Sequence, residues 1–137
     1  MFSGWFEPTS QIKVGFDDVK HAIQNPNNCI IINTLPANNQ ECLIKHTISI
    51  DIEEKMINDL LQTYSLKNKR FVIYGKNATD NTVDRKYKQL ITLGFTDIYI
   101  YSGGLFEWML LQDIYGMDEF PTTKTVIDIL RFKPMKL

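Results

Sequence analysis

The sequence predicts an α/β sandwich built on a mainly parallel sheet. Short β-branched and aromatic runs, CIIIN at 29–33, RFVIY at 70–74 and DIYIY at 97–101, lack polar alternation and read as strands covered on both faces. Segments with apolar residues at helical spacing lie between them, and Gly, Pro and Asn clusters mark the joins. Strand and helix therefore alternate, an order that calls for crossovers and a parallel sheet.

The first dozen residues are irregular, with Trp5 and Phe6 as expected anchors on the body and Pro8 as a breaker. Ile12 and Val14 predict a short extended piece. Asp17 or Asp18 suits a helix start, and Val19, Ala22 and Ile23 carry that helix to Asn25-Pro26, where the chain turns. CIIIN is expected to be the central strand. A loop over 34–40 leads to HTISI, expected as a second short strand ending at Ile50. From Asp51 to Ser65, apolar Ile52, Met56, Ile57, Leu60, Leu61 and Tyr64 form one helical face, with acids where the helix dipole favours them.

RFVIY runs into the polar loop GKNATDNT. The helix that follows, from about Thr82 to Leu93, stops at Gly94, a natural residue just past a helix end. DIYIY is the next strand, Ser102-Gly103-Gly104 a tight turn, and Leu105 to about Tyr115 a helix containing Phe106 and Trp108. After Gly116 the tail is a Pro-containing loop and an apolar stretch at 126–130 that reads equally as helix or strand. Ligand sites in open parallel sheets lie where loops leave the carboxyl ends of strands, which directs attention to 75–82 and 102–104.

The chain has 137 residues, one domain's length, and needs no staple to bury a core. Fifteen Lys and Arg against sixteen Asp and Glu leave a net charge of −1, and twelve of the cations are scattered lysines. Binding to nucleic acid or an anionic membrane needs clustered cations, so neither is expected. Cys29 and Cys42 are the two cysteines, with no zinc-ligand spacing around them, and no metal or cofactor is expected. No signal-peptide pattern opens the sequence and no apolar run is long enough to span a bilayer, so a soluble cytoplasmic protein is expected. Asn77-Ala78-Thr79 matches a glycosylation acceptor, read as coincidence without a secretory signal.

The two loops and the elements between them resemble the rhodanese-like domain. FVIY running into Gly75, Gly94-Phe95 closing a helix, the strand DIYIY, and SGGLFEW as a Gly-Gly turn into a Trp-bearing helix carry the resemblance, which spans about 11–115. It implies a three-layer sandwich with helices on both faces of the sheet, one domain over 1–137, and a 116–137 extension packed on the body. Upstream, INTLP stands where the family has an Asp-x-Arg, so Asn33 and Leu35 replace the charged pair, and KHTISID is similar to the family's histidine-containing segment, with His46 near its histidine. The wording INTLP, YGKN and SGGLFEWMLLQDIYG is similar to rhodanese-like proteins of large DNA viruses, which would place the protein in a host cytoplasm.

The family's catalytic residue is a cysteine directly after the strand, and here that position is Gly75. A thiolate nucleophile needs a sulfur atom in an electropositive cradle, so no catalytic residue is assigned. The spacing to Gly94-Phe95 is nearer the longer loop of the cell-cycle phosphatases that share the fold, but residues 76–82 hold no arginine.

Gly75, Lys76, Asn77, Ala78, Thr79, Asp80, Asn81 and Thr82 form a candidate anion or ligand loop, because backbone amides at a helix start favour negative charge. Asp80 offers the competing reading, a carboxylate that fills the cradle as an internal cap. Asn33, Leu35, Gly103 and Gly104 are expected on the rim. Cys42 is a candidate redox or persulfide residue set against simple packing, and Cys29 reads as a buried small hydrophobe. His21 and His46 stand alone and read as structural.

The resemblance and the departures together predict a catalytically inactive rhodanese-like module that binds a protein partner or small anion. Two alternatives stand beside it: a sulfurtransferase using Cys42 or a partner's cysteine, and a pseudo-phosphatase that captures phosphopeptides through Lys76 and Thr79. A homodimer is open, with no residue to specify it.

Overall fold

The computed structural model describes residues 11–135. Among them, four strands form one sheet: β1 (Ile12–Val14), β2 (Cys29–Asn33), β3 (Arg70–Tyr74) and β4 (Ile98–Tyr101). Their order is β1-β4-β3-β2 and every neighbouring pair is parallel. Helices α1 (Phe16–Gln24), α2 (Ile50–Gln62) and α3 (Thr82–Leu93) supply the three crossovers, and α4 (Gly104–Tyr115) follows β4. Trp5, Phe6 and Pro8 lie outside the described residues.

Alternation along each strand divides the core into two layers. Ile31, Val72, Tyr74 and Tyr101 point to one face, where Val19 and Ala22 of α1 and Leu105, Trp108 and Met109 of α4 cover them. Ile30, Ile32, Phe71, Ile73, Ile98 and Ile100 point to the other, against Ile57 of α2 and Val83, Tyr87 and Leu90 of α3. Each large apolar side chain so enclosed contributes about 1.5–3 kcal/mol. Trp108 is fully buried at the centre of the first layer, edge-on to Phe120 at 5.0 Å, and its indole N–H donates to the Pro121 carbonyl at 3.1 Å.

Local chemistry sets the element ends. Ser49 caps α2, its hydroxyl accepting the Asp51 amide. Gly94 closes α3 at φ +107°, a left-handed conformation that Gly adopts without a Cβ penalty, and Phe95 then turns back into the core. Past α4, an antiparallel bridge joins Thr122 to Ile44, Phe120 and Phe132 enter the first core layer, and residues 129–132 form a 3-10 turn.

Three expectations are corrected. CIIIN is not central: β2 ends the strand order, and β3 and β4 lie inside. Its continuous apolar run reports two covered faces, and says nothing of which edges are paired. HTISI is not a strand. A single rung links Thr47 to Ile31, because His46 at φ 69° breaks the extension on one side and Ser49 starts α2 on the other. The helix expected to reach Ser65 ends at Gln62, and Tyr64, at φ 55°, is 88% exposed instead of buried.

Candidate functional site

The carboxyl ends of the strands meet three chain segments: the loop after β2, the loop after β3, and the turn into α4. The loop after β3 is built around two side chains. One oxygen of Asp80 accepts the Lys76 amide at 2.9 Å, and the other accepts the Thr82 amide at 3.0 Å and the Thr82 hydroxyl at 2.6 Å. Its carboxylate thus ties the amide at the start of the loop to the first amide of α3. An external anion would have to displace it.

Gly75 sits at the base of this arrangement, fully enclosed directly after β3. A Cβ built there would lie 2.6 Å from Val83 Cγ2 and 2.7 Å from Asp80 Oδ2. The space into which a side chain at this position would project is filled by Asp80, five residues on in the chain.

Asn77 locks the rest of the loop. Its carbonyl oxygen accepts the Thr79 amide and hydroxyl, and its NH2 donates to the Phe132 carbonyl at 2.9 Å, so the C-terminal segment clamps the loop from outside. Asn77 is buried with both ends of its amide engaged, which leaves no group free to carry a glycan. Ala78, Thr79 and Asn81 are exposed and Lys76 is partly so. Lys76 makes no ion pair with a described residue, so its charge is free at the rim.

The turn into α4 packs directly on this loop. Leu105 and Phe106 amides donate to the Gly75 and Lys76 carbonyls at 2.9 and 3.0 Å. Gly104, at φ +69°, has the Gly75 carbonyl 2.8 Å from where a Cβ would stand, so only glycine fits. Glu107 folds over Gly103 and occupies the place of its missing side chain.

On the β2 side, Asn33 is 2% exposed and pairs amide to amide with Gln40, at 2.8 and 3.1 Å, while its oxygen also accepts the Leu35 amide. Its amide is spent on building the loop. Leu35 is likewise buried. The two loops are joined by a hydrogen bond between the Thr34 and Thr82 hydroxyls, 2.8 Å apart. Arg131 of the tail reaches Glu41 at 2.7 Å, tying the 34–42 segment as well.

Cys42 is 1% exposed with its thiol donating to the Lys124 carbonyl at 3.2 Å, and burial pushes its pKa up. That setting favours the thiol over the thiolate. Cys29 is also buried, and burial raises its pKa. The His46 ring lies 3.0 Å from the Ile23 carbonyl, which it can meet only as an N–H donor, and His21 is exposed. Among the described residues no group of three or more His, Cys, Asp or Glu comes together to hold a metal, and no helix is long and apolar enough to cross a membrane.

One feature of this face has no signal in the sequence. Thr34, Leu35 and Thr82 close one end of an open groove of about 760 Å3 that runs between α2 and α3. Ile50, Glu53, Glu54, Ile57 and Asn58 face it from α2, and Arg85, Lys86, Gln89 and Leu93 from α3. Both sets follow helical spacing, so each helix turns one stripe toward the cleft. Lys86 and Glu53 bridge it as an ion pair, with side-chain exposures of 21% and 11%.

The family model for the rhodanese-like domain matches residues 16–111. No curated protein sequence matches the chain. Among solved structures, BH2092 of Bacillus halodurans aligns over 77% of this chain and 74% of its own at 21% identity, TM-score 0.58. A full-length protein of Lactobacillus plantarum covers 83% and 88% at 17% identity, TM-score 0.55. The As-Sb reductase of Leishmania major covers 77% and 79% at 16% identity, TM-score 0.51. At these identities the likeness is one of fold.

Proposed function

Because the chain belongs to the rhodanese-like domain family, we propose that it is a catalytically silent member whose strand-end face binds a protein partner. The observation that carries this reading is the pairing of Gly75 with Asp80. The first residue after β3 has no nucleophilic atom, and the space a nucleophile would use holds a carboxylate already bonded to the Lys76 and Thr82 amides. A negative group there would repel thiosulfate, arsenate or a phosphate ester, and the amides such a ligand needs are engaged.

Support for a binding role comes from how the rim is made. The Asn77 clamp, the Asn33–Gln40 pair and the Arg131–Glu41 pair fix the loops through contacts within the chain. A surface ordered in advance spends less of its interaction energy on fixing loops when a partner arrives. The buried, hydrogen-bonded Cys42 weighs against sulfur transfer through that residue.

The test is direct. Purified protein should give no thiosulfate:cyanide turnover and no p-nitrophenyl phosphate hydrolysis above buffer, and its Lys76 and Thr82 amide NMR signals should not move with millimolar phosphate, sulfate or thiosulfate. Turnover that disappears in Cys42→Ser would overturn the reading in favour of a sulfurtransferase.

A further inference from the structure

From the groove between α2 and α3 we infer a docking site for a short extended peptide segment of a partner protein, carrying a carboxylate that meets Arg85 and a cation that meets Glu54. The inference rests on the binding role proposed above and adds the site and the chemistry of the ligand.

The dimensions select a peptide. A volume of about 760 Å3 falls within the roughly 300–1,000 Å3 of ligand sites. The α2 stripe from Ile50 to Asn58 runs about 12 Å at 1.5 Å per residue, close to four residues of extended chain at about 3.3 Å each. An extended segment would lay alternate side chains on Ile50, Ile57 and Leu93, of which Ile50 and Leu93 are 37% and 38% exposed.

Charge selects its composition. Four charged side chains line the groove, and two of them, Glu53 and Lys86, satisfy each other. That leaves Glu54 on the α2 wall and Arg85 on the α3 wall. Both are exposed, and neither makes a side-chain hydrogen bond or ion pair with a described residue. Two opposite unpaired charges on facing walls favour a ligand with the reverse pair, and they disfavour one with a single sign of charge.

The two residues are also clean handles, since reversing an exposed, unpartnered charge leaves the fold intact. A displayed library of short random peptides is selected on the folded protein and, in parallel, on Arg85→Glu and Glu54→Lys. Wild type should enrich aliphatic peptides bearing one acid and one base. Those peptides should bind Arg85→Glu about fivefold or more weakly, with the acid lost from sequences selected on that variant, and Glu54→Lys should lose the base. Enrichment that ignores both substitutions, peptides displaced by millimolar phosphate, or no enrichment at all would overturn the assignment. Sulfur transfer or phosphatase turnover by the same preparation would instead remove the non-catalytic reading and leave the peptide result standing.

Discussion

The Asp80 carboxylate stands 2.7 Å from the point where a side chain on Gly75 would begin. The two positions are therefore energetically coupled: what one can hold depends on the size and charge of the other.

Gly75→Cys is expected to destabilise the protein by about 1–3 kcal/mol, the usual cost of overfilling a packed site. Combining it with Asp80→Gly should recover part of that loss, but not all, because Val83 Cγ2 is closer still at 2.6 Å. Urea denaturation of the single and double variants gives the coupling, and strictly additive effects would show that the two positions do not compete.

Asp80→Ala removes the acceptor for two amides and a hydroxyl and should cost about 1–2 kcal/mol. It also empties the cradle. Phosphate should then raise the melting temperature of the variant more than that of wild type; equal shifts in the two would argue against latent anion affinity in the loop.

Gly104→Ala should be among the most damaging small changes, at about 2 kcal/mol or more. It adds a Cβ at φ +69° and within 2.8–3.0 Å of the backbone of Gly75 and Asn77, neither of which can swing aside. A loss under half a kcal/mol, read from urea midpoints, would mean that the turn relaxes freely.

Stability should fall in alkali. Burial raises the pKa of Cys42 above its ordinary value of 9.0, and burial likewise raises that of Tyr74, whose hydroxyl is bonded to the Ile44 amide and Thr47. With the native state holding its protons more tightly than the unfolded chain, this stabilisation is full below the unfolded pKa values and is lost as pH rises through the folded ones. Urea midpoints from pH 7 to pH 10.5 should decline, and less steeply in Cys42→Ala. A flat profile would refute the assignment.

Much of the fold was legible because side-chain patterns report which faces are covered. RFVIY and the Thr82–Leu93 helix fall where apolar spacing and Gly94 put them, and DIYIY is shorter by one residue. Edges are a different matter, since strand neighbours are chosen by backbone hydrogen bonds, and CIIIN carries no mark of lying at the end of the order. HTISI has a strand's composition, but the backbone at His46 and the cap at Ser49 override it.

At the site, the 75–82 loop could be found from its turn residues and its place after a buried strand. Its clamp could not. Asn77 meets Phe132, and Glu53 meets Lys86, across separations in sequence that no local period connects.

The strand order also bears on how the chain is made. Of the four described strands β1 emerges first from a ribosome, yet its partner in the sheet is β4, with Ile12 beside Tyr99. Until Tyr101 is free, Ile12–Val14 lack the strand they pair with among the described residues, while β2 and β3 can already join. Closure of the sheet is therefore a late event in synthesis, and a pause in translation before β4 would leave the nascent chain with β1 unpaired and an open edge on β3.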